Sequence, residues 1–326
     1  MTQYIIGVDL GGTRLRAARF DRDLNLLVRD EVLTLAAEGP PATIERMKAL
    51  IRSVLPSEAE VAGIGISAPG PSNPFTGIVV APPNLPGWHN VPIVQILRET
   101  FNLPVYLGND ANVAALAEVV RGAGQGTSDA IFITVSTGIG GGIIINGRML
   151  LGSTGLGAEV GHIVMIVDGQ PSTLEKEAAG PALARRARSL IESGRSSQIV
   201  NMVDGDLSKI TGATVGTAAQ NGDALALEVV QRAGRILGMG MTSLLHIFNP
   251  EILIFGGGVS QLGELLFAPM RAAIETYAID RSYWTELRIV PAGLGENVSL
   301  VGAAALVITH GGVESISTVK EKLQDS

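Results

Sequence analysis

Three times along this chain an apolar run ends in glycine. Residues 4–9 lead into Gly11-Gly12-Thr13, residues 130–135 into Ser136-Thr137-Gly138-Ile139-Gly140-Gly141-Gly142, and residues 252–255 into Gly256-Gly257-Gly258. Glycine has no Cβ and adopts backbone conformations closed to other residues, so such clusters mark tight turns or close approach to a ligand. The chain holds 41 glycines with no period of three, which excludes a collagen. Strand-like runs closed by glycine turns, with helix-period segments between them, specify an α/β fold.

The first two clusters share one organisation: apolar strand, glycine-rich polar turn, second strand. After the first, residues 14–20 alternate as a strand; after the second, residues 142–146 form an apolar run. This echo predicts two related α/β halves, each opening with a β-hairpin. Strands are also expected at 28–35, 61–67, 105–107, 252–255 and 287–290. Helices are expected at 43–55, 93–100, from Asn109 or Asp110 to about 121, and at 174–193, 217–248, 261–277 and 298–309, the last Ala-rich and buried. A Pro- and Gly-rich loop over 72–88 is long enough to be a functional candidate. The charge-free run 130–147 has the length of a membrane helix, but its central glycines break a helix, so two short strands fit it better.

At about 100–200 residues per domain, 326 residues suggest two domains. Hydrophobic residues at 46% supply sizeable cores, and charged residues at 17% argue against disorder. A net charge of −7 offers no basic footprint for nucleic acid. No cysteine is present, which excludes disulfides, thiolate zinc sites, iron–sulfur clusters and cysteine nucleophiles. With no secretory pattern at residues 1–20, a cytoplasmic protein without membrane contact is expected.

Five constellations can carry chemistry. In Asp9-Leu10-Gly11-Gly12-Thr13, turn N–H groups can face a phosphate and the carboxylate can hold Mg²⁺ directly or through water; an ordinary hairpin turn has the same composition. The turn at 136–142 follows the same logic. Its Gly-x-Gly is not a dinucleotide fingerprint, because a strand rather than a helix follows, and the chain has no Gly-Lys dipeptide for a P-loop. Gly256-Gly257-Gly258 lets a flat ring lie on the backbone, or simply turns a strand into a helix. In Gly108-Asn109-Asp110-Ala111-Asn112, Asn109 can cap a helix while Asp110 points outward to accept a proton from a substrate hydroxyl. Glu159 and His162 in Gly157-Ala158-Glu159-Val160-Gly161-His162, with Glu175, suit vicinal hydroxyls; as metal ligands they match no usual set. His89 and His310 carry no pattern, and His246, in an apolar helix, is expected in the core.

These motifs, with Ser67-Ala68-Pro69-Gly70-Pro71 and Asn84-Leu85-Pro86-Gly87-Trp88, occur in the order of the ROK-family sugar kinases, which the chain resembles from residue 5 to about 305. The resemblance implies an actin-like ATPase (hexokinase-type) fold, two α/β domains around a cleft. It places an N-terminal domain at 1–117, completed by a C-terminal helix at 298–326, and a larger domain at 118–297. It implies ATP- and Mg²⁺-dependent phosphorylation of a hexose hydroxyl, O6 of glucose first, by a homodimer. Kinases of N-acetylglucosamine or N-acetylmannosamine, and a non-catalytic sugar-binding regulator, are the alternatives. By resemblance Asp110 is the base; Asn84, Asn109, Asp110, Glu159, His162 and Glu175 bind sugar. Asp9, Gly11, Gly12 and Thr13 form the first phosphate loop, with Asp9 toward Mg²⁺. Thr137 and Gly138 form the second, and Gly256, Gly257 and Gly258 the adenosine loop. The family's Cys-x-Cys-Gly-x-x-Gly-Cys zinc loop is replaced at 163–174 by a shorter, cysteine-free segment. No zinc is expected there, and the apolar run 163–167 is expected to pack as a buried strand.

Overall fold

The opening apolar run forms β1 (Tyr4–Leu10), turns at Gly11-Gly12, and returns as β2 (Arg14–Phe20), with Asp9 opposite Arg16. The computed structural model of the chain describes residues 3–57 and 59–318. Contacts divide the chain into two units, residues 1–132, 142–158 and 292–326, and residues 133–141 with 159–291.

In the first unit β3 (Leu26–Leu33) continues the hairpin, and α1 (Gly39–Val54) follows with Ile44, Met47, Leu50, Ile51 and Val54 on its buried face. That spacing is the helical period read from the sequence. Next come β4 (Val61–Ala68), the two-residue strands β5 (Ser72–Asn73) and β6 (Ile78–Val79), α2 (Ile93–Phe101), β7 (Val105–Asn109) and α3 (Asp110–Arg121). The sheet order is β3-β2-β1-β4-β7, with β1, β4 and β7 parallel. A domain boundary at 117/118 would cut α3 in two; residues 118–132 instead stay with the first unit.

The second hairpin appears as β8 (Ala130–Val135) and β9 (Ile139–Ile145), extended by β10 (Arg148–Met149). The division between the units runs through β8 and β9. A small hairpin of β11 (Val164–Val167) and β12 (Gln170–Thr173) leads into α4 (Leu174–Ala178), α5 (Gly180–Glu192), α6 (Ile199–Met202), α7 (Gly212–Gln220) and α8 (Ala224–Phe248). β13 (Ile252–Gly256), α9 (Glu264–Tyr277) and β14 (Arg288–Pro291) follow, with β13 and β14 parallel. The order β10-β9-β8-β13-β14 repeats the first sheet's plan of a three-strand meander followed by two later strands, as the echo in the sequence predicts. No helix among the described residues is long and apolar enough to cross a membrane.

The last helix, α10 (Val298–Ile308), returns to the first unit and is buried from Leu300 to Val307. It lies so close to the sheet that a Cβ on Gly65 would collide with the Ala303 carbonyl. It ends at Ile308, because His310, Gly311 and Gly312 all take positive φ; residues 319–326 of the expected helix 298–326 lie outside the described residues.

Other expectations are corrected. The segments 174–193 and 217–248 each hold two helices, broken where Ala179 and Asp223 take extended backbone before Gly180 and Ala224. His246 is exposed, not in the core. The buried face of α8 at this point is formed by Met241, Leu244 and Leu245, which turns the next residue outward. His246 Nε2 accepts the Ile279 N–H at 3.1 Å.

Candidate active site

In the first unit the parallel register sets Asp9 beside Ser67, Ser67 beside Gly108, and Ala68 beside Asn109. These are carboxyl ends of parallel strands, where open α/β sheets bind ligands. Asp9 is buried, and its Oδ2 accepts from Arg16 Nε at 2.9 Å and Nη2 at 2.6 Å. Burial pushes the Asp9 carboxyl up; the Arg16 guanidinium offsets only part of that, so it stays above the usual value. Ser67 Oγ, also buried, has no hydrogen-bond partner.

The first glycine turn is held from both sides. Gly11 N–H donates to Arg14 O at 3.0 Å, Thr34 Oγ1 donates to Gly11 O at 2.6 Å, and Thr34 N–H donates to Thr13 O at 2.9 Å. Gly11 N–H therefore closes the turn and does not face outward as a phosphate donor. Gly12 is required by close approach: a Cβ there would stand 2.9 Å from Asn84 O. Asn84 is thereby seated against the turn, anchored by its fully buried neighbours Leu85 and Trp88. At the end of β7, Asn109 is the N-cap of α3, its Oδ1 accepting the Ala111 N–H at 3.0 Å, and Asp110 is the exposed first helical residue. The first unit thus gathers Asp9, the turn and Asn84, and places Asn109 and Asp110 at the neighbouring strand ends.

In the second unit Ser136 and Thr137 form the exposed tip of the β8–β9 turn, closed by Ser136 N–H donating to Gly138 O at 2.8 Å. Glu175, on α4, reaches this turn: its Oε2 accepts the Ile139 N–H at 2.9 Å, and a Cβ on Gly138 would lie 2.5 Å from the same oxygen. Glu159 is the N-cap of a 3-10 turn, Val160–His162, His162 is its last residue, and both are exposed. Gly161 in that turn packs so closely on β9 that a Cβ would collide with Ile139 O. Glu159, His162, Glu175, Thr137 and Gly138 are therefore collected around the start of β9.

A cavity of about 850 Å³ opens beside them, lined by Ser136, Thr137, Gly180, Arg188, Thr211 and Gly258 among others. Its size is that of a small-molecule site. Of the third glycine cluster, Gly258 lines the cavity. Gly257 has φ of 87°, and a Cβ there would collide with the Val135 carbonyl, so it serves the chain crossing.

A family model described as the ROK family matches residues 5–310. The chain belongs to the ROK family. A glucokinase of Thermotoga maritima is 36% identical over 309 residues, covering 93% of this chain and 96% of that protein. The crystal structure of a ROK family glucokinase from Streptomyces griseus in complex with glucose and AMPPNP is 33% identical. It superposes with a TM-score of 0.73 over 93% of this chain and 98% of that one. A ROK hexokinase structure from Thermus thermophilus is 31% identical with a TM-score of 0.77, over 98% of this chain and all of that one. These are structures of the actin-like ATPase fold, as the order of motifs implies.

Several residues of this ROK protein's site carry no motif in the sequence. Arg16 is marked only by lying opposite Asp9 in a hairpin. Arg188 and Thr211 reach the cavity through the packing of α5 on α7. The readable signal was the small residues one helical turn apart, Gly212 and Gly216, which leave room beside the cavity.

The segment 163–174 departs from its expectation in one respect. The run 163–167 contains a strand, β11, but Val164 and Ile166 are 73% and 63% exposed, so burial of that strand does not stand in for a metal. The donors do not suit zinc either. The chain has no thiolate, and among the described residues no three His, Asp or Glu side chains group as metal ligands.

Proposed function

We propose that this ROK protein is an ATP-dependent hexose kinase acting as a glucokinase on the sugar O6 hydroxyl. The observation that carries the reading is the cavity of the second unit. The second glycine turn (Ser136, Thr137) and the third (Gly258) line the same space, large enough to hold a nucleotide, and Glu175, suited to a sugar, holds that second turn through the Ile139 N–H. The glucokinase relatives point the same way.

In this reading Asp110 accepts the proton of the attacking hydroxyl. The sugar oxygen bonds to the γ-phosphorus as the bond from that phosphorus to the ADP oxygen breaks. Asn109 fixes the start of α3, which holds Asp110 at the strand end. Asn84, Glu159, His162 and Glu175 orient the sugar through its hydroxyls. Gly12, Thr13, Thr137 and Gly138 receive the phosphates, and Gly256, Gly257 and Gly258 shape the adenosine side. Asp9 is a single buried carboxylate already paired with Arg16, a donor set that suits Mg²⁺ held mainly by phosphates and water. When bound, that ion neutralises charge on the transferring phosphoryl group. A cytoplasmic homodimer is part of the same proposal.

An ADP-release screen of hexoses and N-acetylhexosamines with Mg-ATP tests it. Glucose is expected to give the highest kcat/KM. Higher turnover of an N-acetylhexosamine would replace glucose as the substrate, and no turnover of any sugar would remove the kinase reading.

A further inference from the structure

The hairpin at 163–174 joins two of the proposed sugar residues. His162 stands two residues before its first strand, and Glu175 two residues after its second, within α4. The turn between the strands is Asp168-Gly169, both at positive φ, with Val167 paired to Gln170: a two-residue loop of the type that Asp-Gly favours. Such a loop fixes register, but a two-stranded hairpin has little stability of its own in water. Here one face is open, since Val164 and Ile166 are exposed. A thiolate-held metal is closed to a chain without cysteine.

A polar tie stands in that place. Arg232, within α8, places Nη2 at 2.9 Å from Asp168 Oδ2 in the hairpin turn and at 2.9 Å from Glu177 Oε2 on α4. The other Glu177 oxygen accepts from Ser172 Oγ of β12 at 2.8 Å. Arg232 and Glu177 are 18% and 21% exposed, so their contact is only partly screened. Asp168 is 70% exposed and contributes the weaker arm. The base of the hairpin is closed by Leu174 N–H donating to Ile163 O at 3.1 Å, with Leu174 fully buried.

We propose that Arg232 is a positioning residue for sugar binding: its clasp on Glu177 and Asp168 fixes the hairpin and α4, and through them His162 and Glu175. This rests on the hexose-kinase reading for its effect on sugar, while the clasp itself is testable without it. Arg232 is not itself a sugar ligand; it acts through Glu177, Ser172 and Asp168 alone.

The test compares the unmodified protein with Arg232→Met, Arg232→Lys and Glu177→Gln. Amide hydrogen exchange without ligands reads the clasp. Exchange across 163–175 is expected to quicken about tenfold in Arg232→Met and Glu177→Gln, less in Arg232→Lys, with the peptides of α8 unchanged. Calorimetry with glucose alone and steady-state rates read the role. Sugar Kd and KM are expected to rise about five- to twentyfold in Arg232→Met with ATP KM unchanged, and Arg232→Lys is expected to recover part of the loss. High salt should raise the sugar KM of the unmodified protein and not that of Arg232→Met. Unchanged exchange at 163–175 would overturn the clasp, as would stoichiometric zinc by elemental analysis that is lost in His162→Ala. Faster exchange with unchanged sugar affinity would overturn the positioning role. If Arg232→Met does not fold, Glu177→Gln decides both points. An unmodified protein inactive on every sugar would end the kinase reading, while the exchange data would still decide the clasp.

Discussion

Glu175 Oε2 accepts the Ile139 N–H at 2.9 Å, so a carboxylate suited to sugar also braces the turn suited to phosphate. The two roles of this one side chain predict a mixed kinetic defect. Glu175→Gln keeps the shape but loses the charge. A hydrogen bond to a charged group contributes about 1.5–3 kcal/mol, which corresponds to a fall of roughly 10- to 100-fold in kcat/KM. KM for sugar and for ATP are both expected to rise in a two-substrate rate matrix. Glu159→Ala, whose residue makes no such brace, should raise the sugar KM alone. An unchanged ATP KM in Glu175→Gln would separate Glu175 from the phosphate turn.

Asp110 can be tested without disturbing the helix it begins. Asn109 caps α3, its Oδ1 accepting the Ala111 N–H at 3.0 Å, and Asp110 Oδ1 accepts the same N–H at 2.8 Å, an acceptor that Asn retains. Asp110→Asn is therefore expected to leave the melting temperature little changed. It should lower kcat by at least about 10², the lower end for loss of a general base, while glucose still binds by calorimetry. Near-normal turnover would remove Asp110 from the chemistry.

The glycine turns were legible because their requirement is local. Gly12 against Asn84 and Gly257 against Val135 are contacts that any Cβ would obstruct, and the sequence records them as glycine. The paired hairpins were legible for the same reason. The run at 163–167 was not, because an unbroken apolar run shows no alternation, and which face is covered depends on neighbours elsewhere in the chain. Asp168-Gly169, a pair that favours a two-residue turn, is the local signal of a hairpin that the expectation of one buried strand leaves out. Arg232 had no mark at all: it is one charged residue on a long helix, and only the packing of α4 and the hairpin gives it partners. The breaks at Ala179 and Asp223 were written in Gly180-Pro181 and Asn221-Gly222-Asp223, punctuation that a longer helical period concealed.

Asp223 gives a pH-dependent stability. Its burial opposes ionisation. That is outweighed by the N–H groups of Ala226 at 2.8 Å and Gln198 at 2.7 Å and by the Ser197 hydroxyl, so its carboxyl lies below the usual carboxylate value. A lowered native pKa adds stability above the unfolded value, near ~3.9, and loses it as pH falls through the native value. Asp223→Ala removes an N-cap and should cost about 1–2 kcal/mol at pH ~7. Thermal melts of the two proteins from pH ~7 to ~3 are expected to converge only below about pH 4. A gap that closes well above that point would contradict the sign.

Glu118 predicts a large loss of stability from a single isosteric change in the first unit. It lies fully buried near the end of α3. Its Oε2 accepts the N–H groups of Ala123 at 2.8 Å and Gly293 at 3.0 Å, and its Oε1 those of Gly293 and Leu294, each at 3.0 Å. One carboxylate thus fixes the chain leaving α3 and the chain entering α10, with Glu118 and Gly293 175 residues apart along the sequence. Glu118→Gln turns one acceptor into an NH₂ group facing an N–H, so at least one buried donor is left without a partner. Hydrogen bonds to charged groups contribute about 1.5–3 kcal/mol each, and the loss on denaturation is expected to fall in that range. Glu118→Ala should lose more, because the N–H groups of Ala123, Gly293 and Leu294 are then all stranded. Urea unfolding with an unchanged m-value checks the number. A Glu118→Gln protein within about 0.5 kcal/mol of the parent, the scatter of ordinary surface substitutions, would overturn the claim that an N–H is stranded there.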